Sequence, residues 1–194
     1  MKTFLYFSFS LFLAFSVLAQ KVDPTYKQVS YGPHEDMTLN FWKIESQNPA
    51  PLLVHIHGGG WLGGKKHEKA NANELKHGYS FASIDYRLAG VELLPAAVHD
   101  AARAIQFLRT KASDWNFDPN RIAVTGGSAG AASSLWLAYH DDLADPQSKD
   151  SVLRQSSRVC GAVAMGGQTT LDPFLLEKKI GPACVQHGMI WKTV

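Results

Sequence analysis

The sequence lacks the features that would assign it to several specialised classes of protein. It has 2 cysteines in 194 residues, so one internal disulfide is the most it can form. Its formal net charge is +2, so nothing in its charge indicates a nucleic acid or an anionic membrane surface as a partner. It contains no internal repeats and no low-complexity tracts. With 45% hydrophobic and 19% charged residues, it has the composition of a globular chain that can bury a core.

The sequence also lacks a clear disulfide framework and a clear set of metal ligands. An oxidising compartment would permit a bond between Cys160 and Cys184. Cys160, however, opens an apolar run where a cysteine is usually a small buried hydrophobic residue, so we expect two free thiols. His55 and His57 lie on one face of a predicted strand, but no further ligands accompany them. We therefore predict no metal site.

No apolar run reaches the roughly 20 residues that a membrane-spanning helix needs. Residues 1–3 form a short basic start, residues 4–17 lean apolar, and Ala19 occupies a usual cleavage position. This pattern predicts a signal peptide over residues 1–19, export to the periplasm or the medium, and no membrane contact after cleavage. The remaining residues 20–194 suit one domain.

Strand-like and helix-like segments alternate along the mature chain. Residues 26–44 predict two antiparallel edge strands, and further strands are expected at 52–57, 80–86, 121–125 and 159–165, with a short helix at 68–77. Pro95 opens the strongest helix pattern, which has one apolar and one polar face. The apolar face carries Val98, Ala101, Ala102, Ile105 and Leu108, and the polar face carries Asp100, Arg103, Gln106 and Arg109. This alternation predicts a mostly parallel sheet flanked by helices.

The sequence Gly-Gly-Ser-Ala-Gly at residues 126–130 lies between an apolar strand pattern and a small-residue helix pattern. A Gly-x-Ser-x-Gly motif in that context is typical of a nucleophile elbow, which presents the Ser128 hydroxyl on a sharp turn. The helix that begins there supplies backbone N–H groups that can face an anion beside the serine.

A second glycine motif, His-Gly-Gly-Gly-Trp at residues 57–61, follows the buried strand pattern of residues 52–56. Three consecutive glycines let the backbone turn its N–H groups toward a cavity. Such donors stabilise the oxyanion of a tetrahedral acyl intermediate. A plain flexible loop would explain the glycines alone, but the downstream elbow favours an oxyanion hole.

Together these motifs resemble the α/β-hydrolase fold, in the esterase and lipase branch that carries His-Gly-Gly-Gly and includes hormone-sensitive-lipase-like and feruloyl-esterase-like bacterial carboxylesterases. Stretches at residues 85–88, 95–100 and 118–122 fit the same branch. The resemblance implies that Ser128 is the nucleophile and that the N–H groups of Gly58, Gly59 and Ala129 form the oxyanion hole. It also implies a small-molecule ester substrate, carbohydrate-linked esters among the candidates, and no cofactor.

The triad of this fold follows the order Ser, then Asp or Glu, then His. After Ser128 the acids are Asp141, Asp142, Asp145, Asp150, Asp172 and Glu177, and the histidines are His140 and His187. His140 is expected in the helix after the elbow, too close in sequence to fold back onto Ser128. His187 stands where the family usually carries a variable insertion, and it is kept as an alternative base. The pattern favours a chain without the triad acid and histidine, and a hydrolase fold that is incomplete at its C-terminal side.

Charged and aromatic residues near the motifs are expected to have structural roles. Asp85, Arg87 and Asp100 are predicted to form buried or half-buried pairs that fix the loops, because Asp85 precedes the serine and breaks the triad order. Residues 65–69 are predicted to be a solvated helix start. Trp61 either lines the substrate pocket or packs the loop. Ser133 and Ser134 are predicted to pack behind the elbow.

Two functions remain open on the sequence alone. The first is a secreted serine carboxylic-ester hydrolase, of which this chain carries the nucleophile and the oxyanion hole. The alternative is an inactive hydrolase-like binding module or a degenerate fragment. An intact serine and an intact glycine loop favour the enzyme, since a binding module needs neither. The sequence indicates no oligomeric state.

Overall fold

The computed structural model describes residues 20–170 together with Leu175 and Lys178. The strands in this part of the chain are β1 (Lys21–Val22), β2 (Tyr26–Ser30), β3 (Thr38–Trp42), β4 (Ala50–Ile56), β5 (Ala70–Asn71), β6 (Ser80–Ile84), β7 (Phe117–Gly127) and β8 (Gly161–Met165). The helices are α1 (Ala72–Leu75), α2 (Ala96–Trp115) and α3 (Ala129–Tyr139). The predicted signal peptide and the residues from Gly181 onward, His187 and Cys184 among them, lie outside the described residues.

Six strands form one sheet in the order β2-β3-β6-β4-β7-β8. The strands β6, β4, β7 and β8 are parallel, whereas β3 is antiparallel to both β2 and β6. The predicted mostly parallel sheet, with an antiparallel pair at its edge, is thereby confirmed. Because β4 and β7 are neighbours, the loops that follow their carboxyl ends lie side by side. Those loops carry the two glycine motifs.

The main core lies between one face of the sheet and α2 with α3. The alternating burial of β4 turns Leu52, Val54 and Ile56 toward these helices. The predicted apolar face of α2 is confirmed, since all of its residues are at most 1% exposed: Val98, Ala101, Ala102, Ile105 and Leu108. Each of the larger aliphatic side chains buried along this face contributes about 1.5–3 kcal/mol to stability.

The polar face of α2 is not a solvent face, and the burial expected for Asp100 is confirmed. Asp100 and Gln106 are each 1% exposed. The Gln106 side-chain amide lies within 2.8–3.4 Å of the carbonyl oxygens of Leu143, Leu153 and Gln155. The loop after α3 covers this face, and carbonyl groups of the loop accept hydrogen bonds from α2.

The prediction of a helix over residues 68–77 was wrong in its extent. Only α1, four residues long, is helical there, because the preceding Ala70–Asn71 pairs with β1 as a strand. The charged run before it is not wholly solvated either. Lys66 is 5% exposed, so the expectation of a solvated helix start was wrong for this residue.

The far edge of the described sheet is open. β8 pairs with β7 alone, and Val163 and Met165 are 60% and 64% exposed. Cys160, at the start of this edge, carries a free thiol and is exposed. Its interpretation as a small buried residue was wrong, because an edge strand leaves one flank of the apolar run uncovered. Within the described residues, no helix is both long and apolar enough to span a bilayer.

Candidate active site

Ser128 lies at the junction of β7 and α3 in a strained backbone conformation. Its φ and ψ angles are 53° and −120°, outside the regions that L-residues ordinarily adopt. Its N–H donates to the carbonyl oxygen of Met165 at 2.9 Å, so the end of β8 supports the turn. The residue is exposed, whereas Ala129 and Gly130 after it are buried. The turn thus presents one side chain to solvent at the N-terminus of an 11-residue helix.

The glycines around Ser128 allow the strand and the helix to approach each other closely. A Cβ on Gly126 would lie 2.5 Å from the carbonyl carbon of Gly130 and 2.6 Å from the Ile56 oxygen. A Cβ on Gly130 would overlap the Ile56 oxygen and lie 2.7 Å from the His57 oxygen. Because these neighbours are backbone atoms, they cannot move aside cheaply, and a side chain at either position would force the elbow away from β4.

The glycine loop after β4 contacts the elbow directly. A Cβ on Gly58 would lie 2.7 Å from the Gly127 oxygen and 3.5 Å from the Ser128 Cβ. Gly59 has a φ of 107°, which a side chain would strain, and its Cβ would overlap the Gly63 oxygen. The structure therefore brings together Gly58, Ser128 and the helix N-terminus at Ala129. The assigned roles of these residues in catalysis stay predictions at this point.

His57 supports the glycine loop from below. Its ring stacks on Tyr86 at a centroid distance of 4.2 Å, and the Tyr86 hydroxyl donates to the His57 carbonyl oxygen at 2.9 Å. Nδ1 lies 2.8 Å from the Gly58 oxygen, so a proton on Nδ1 completes a hydrogen bond there. Burial lowers the pKa of His57 below its ordinary value, since desolvation outweighs the opposing effects of that hydrogen bond and of Asp85. A neutral imidazole with its Nδ1 proton toward Gly58 suits this position.

Asp85 holds the Lys66 end of the loop that contains the glycines. The Lys66 backbone N–H donates to Oδ1 at 2.5 Å, and its ammonium group donates to Oδ2 at 2.6 Å. Oδ1 also lies 3.7 Å from His57 Nε2. Lys66 was missed by sequence reasoning, because nothing in its local sequence distinguishes it from the exposed Lys65 and Lys69.

Arg87, in the loop after β6, forms a bidentate ion pair with Asp100 of α2. Arg87 donates to the two carboxylate oxygens of Asp100 at 2.8 and 2.6 Å, and its backbone N–H adds a third bond at 3.0 Å. Pairing with Asp100 is the leading reason that the pKa of Arg87 is raised. The predicted structural pairs are thus confirmed, with Asp100 bound to Arg87 and Asp85 bound to Lys66.

Trp61 packs into the protein beneath the glycine loop. It is 4% exposed and belongs to the main core, and its indole Nε1 donates to Ser133 Oγ at 3.1 Å. Of the two roles expected for it, this geometry is that of loop packing, and a contact with substrate stays a prediction. Ser133 and Ser134 are buried as expected.

His140 and His55 are each engaged with other side chains, away from the Ser128 turn. His140 follows the last residue of α3 and stacks on Trp136 at 4.0 Å, so the length of the helix, about 16 Å, separates it from Ser128. His55 lies on the opposite face of β4 from the helices, against the ring of His67. Among the described residues, no group of three or more His, Cys, Asp or Glu side chains could hold a metal ion.

The chain is similar in sequence to known carboxylic ester hydrolases. The BD-FAE family profile matches residues 41–181. The carboxylesterase NlhH of Mycobacterium tuberculosis is 37% identical over 116 residues, which are 58% of this chain and 36% of that protein. The probable carboxylic ester hydrolase LipM of the same organism is 30% identical over 162 residues, covering 76% and 37%. The chain therefore spans about a third of the length of the curated relatives it matches.

Solved structures share the fold. An acetyl ester-xyloside bifunctional hydrolase from Caldicellulosiruptor lactoaceticus is 25% identical with a TM-score of 0.57, over 75% of this chain and 56% of that one. Esterase 2 from Thermogutta terrifontis is 21% identical with a TM-score of 0.61, over 79% and 61%. The mixed, mostly parallel sheet, the strained serine turn and the adjoining glycine loop occur here in one chain. Since the family profile also covers most of its length, the chain belongs to the BD-FAE family of α/β-hydrolase esterases.

Proposed function

We propose that this chain is part of a serine carboxylic-ester hydrolase in which Ser128 is the nucleophile. The observation that carries the proposal is the contact between the two turns: Gly58 lies against Ser128, and a Cβ there would be 3.5 Å from the serine Cβ. A binding module has no need of an exposed serine held at a strained φ of 53°. Acyl transfer does need it, because the hydroxyl must reach a carbonyl carbon from outside the sheet.

The proposed reaction uses the backbone as its electrostatic partner. Ser128 Oγ attacks the ester carbonyl carbon, its proton passes to the general base, and the carbonyl oxygen becomes an oxyanion. Collapse of this tetrahedral intermediate breaks the ester C–O bond, the leaving oxygen takes the proton from the base to depart as the alcohol, and an acyl-serine remains. The N–H groups of Gly58, Gly59 and Ala129 are the proposed donors to the oxyanion. Loss of one such donor typically costs about 10²–10³-fold in kcat. Water then hydrolyses the acyl-serine.

We further propose that the histidine and the acid of the triad are not supplied by residues 20–170. The positions of His55, His57 and His140 support this, since each is engaged apart from the serine hydroxyl. His187, outside the described residues, is the alternative base.

We also propose export and a carbohydrate-linked ester as the substrate class. The basic start and apolar stretch of residues 1–19 support export. Two structural relatives support the substrate class: the acetyl ester-xyloside hydrolase and a carbohydrate esterase from gut microbiota. The second is 24% identical, with a TM-score of 0.61, over 71% of this chain and 54% of that one.

Labelling by a p-nitrophenyl phosphonate tests the nucleophile without requiring turnover. Ser128 Oγ forms a bond to phosphorus, p-nitrophenolate leaves, and the hydroxyl proton passes to buffer. We expect one adduct, located at Ser128 by mass spectrometry, at a rate roughly 10³-fold above that of a free serine, because oxyanion binding alone leaves catalysis of that order. Labelling should vanish in Ser128→Ala and persist in Ser134→Ala. Labelling spread over several serines would contradict the proposal.

A further inference from the structure

We propose that the hydrogen bond between Trp61 and Ser133 fixes the position of the glycine loop relative to Ser128. Trp61 and Ser133 are then positioning residues for the oxyanion hole. The inference rests on the proposed esterase function. Trp61 stands one residue after the glycine run, and Ser133 lies in the second turn of α3. The bond therefore joins the loop that carries Gly58 and Gly59 to the helix that begins at the nucleophile.

Trp61 adopts a backbone conformation that its surroundings must hold. Its φ is 59°, in the left-handed region that a tryptophan rarely enters. Its carbonyl oxygen accepts from the Ala89 N–H at 2.7 Å, and its buried indole donates to Ser133 at 3.1 Å. Strained residues persist where surrounding contacts over-determine them, and such residues cluster at functional sites.

Ser133 connects the indole to the first turn of α3. Its hydroxyl accepts from Trp61 Nε1 and donates to the Ala129 carbonyl oxygen at 2.9 Å. Ala129 is the residue whose N–H is a proposed oxyanion donor. A chain of two hydrogen bonds thus links the loop that carries two proposed donors to the residue that carries the third.

The position of the glycine loop relative to Ser128 matters because oxyanion donors act over a narrow range of distance. They must lie about 2.7–3.1 Å from the developing oxyanion. A displacement of about 1 Å at a reacting centre can lower a rate by about 10²-fold. The close approach of Gly58 to the Gly127 oxygen fixes one point of the loop, and the Trp61–Ser133 bond adds a second point of attachment.

The chain offers a matched control for Ser133. Ser134 is also buried on α3 and also donates to the carbonyl oxygen four residues earlier, at 2.8 Å to Gly130, but its hydroxyl has no bond to Trp61. The variants are therefore Ser133→Ala, Trp61→Phe, the double variant, and Ser134→Ala. Circular dichroism and thermal unfolding establish that each variant folds, and Ser133→Ala keeps the test open should Trp61→Phe fail to fold.

Two measurements report on position rather than on stability. The first is the rate of Ser128 labelling by the p-nitrophenyl phosphonate, which should fall by roughly 5- to 10-fold in Ser133→Ala and in Trp61→Phe, the effect of one lost hydrogen bond. The double variant should label no more slowly than the slower single variant, because both changes remove the same bond. The second is the pair of Gly58 and Gly59 amide signals in ¹H–¹⁵N NMR spectra, which should shift in Ser133→Ala and stay in place in Ser134→Ala.

The outcomes separate this inference from the proposed function. Equal labelling rates and equal glycine signals in Ser133→Ala and Ser134→Ala would overturn the positioning role while leaving the nucleophile intact. Additive effects in the double variant would also overturn it, since the two side chains would then act independently. A parent chain that shows no preferred labelling of Ser128 would contradict the proposed function and this inference together.

Discussion

Burial of two histidines near the centre of the sheet sets how this protein responds to acid. His55 lies on β4 beside the His67 ring, and burial, followed by the nearby His67 and His57 charges, lowers its pKa to about 4. Burial also lowers the pKa of His57. Between the lowered pKa and the ordinary value of about 6.5, the unfolded chain binds protons that the folded protein does not.

The free energy of unfolding should therefore fall as the pH drops from about 6.5 toward 4. The decline should be smaller in His55→Gln than in the parent, because the variant lacks one of the side chains that bind a proton on unfolding. Urea unfolding followed by tryptophan fluorescence at several pH values measures both slopes. Identical slopes in the two proteins would show that His55 has no part in the acid response.

At the scale of secondary-structure elements, α2 supports the site by anchoring the segment that follows α3. Its polar positions bind this segment, whereas its apolar positions pack against the sheet. Arg103 pairs with Asp150 at 2.7 Å, and Gln106 reaches three carbonyl groups between residues 143 and 155. Arg109 donates to the carbonyls of Ser156 and Arg158. These contacts fix the segment that connects α3 to β8. The last residue of β8, Met165, accepts a hydrogen bond from the Ser128 N–H.

Replacing Gln106 with alanine should release the segment without disrupting α2. We expect a loss of about 1–3 kcal/mol in the free energy of unfolding, because buried carbonyl groups lose their donor. Amide hydrogen exchange should accelerate at residues 143–155 and remain slow in β4. The control is Thr110→Ala, an exposed position on the same helix. Unchanged exchange in the segment would show that Gln106 does not anchor it.

At the scale of the whole molecule, the proposed nucleophile and the proposed oxyanion donors lie together where β4 and β7 end. His55, His57 and His140 are each engaged with groups other than the Ser128 hydroxyl. We therefore expect the 194-residue chain to show little turnover of p-nitrophenyl acetate, at most about 10³–10⁴-fold above the uncatalysed rate. Initial rates with the parent and with Ser128→Ala measure this.

His187→Ala distinguishes the two accounts of the catalytic base. Robust, Ser128-dependent turnover that this substitution abolishes would assign the base to His187 and make the hypothesis of a missing base wrong. Robust turnover that persists would require a base elsewhere in the chain. Cys160→Ser serves as the control, since its exposed thiol lies at the opposite end of β8 from the site.

The sequence by itself determined the strands of the six-stranded sheet in their chain order, the two glycine motifs and the apolar face of α2. These are local properties: the period of apolar side chains selects strand or helix, and glycine alone tolerates the close approaches at Gly126 and Gly130. The family resemblance followed from the same local patterns, and the family profile confirms it.

Only the tertiary structure decided which polar residues are buried and which side chains join the two turns. Lys66 and Lys65 are neighbours in one charged run, yet of the two only Lys66 is buried and paired with Asp85. Trp61 and Ser133 meet across 72 positions of the chain. Such contacts depend on strand order, since β4 and β7 must lie side by side before their loops can touch, and no local pattern of residues encodes that adjacency.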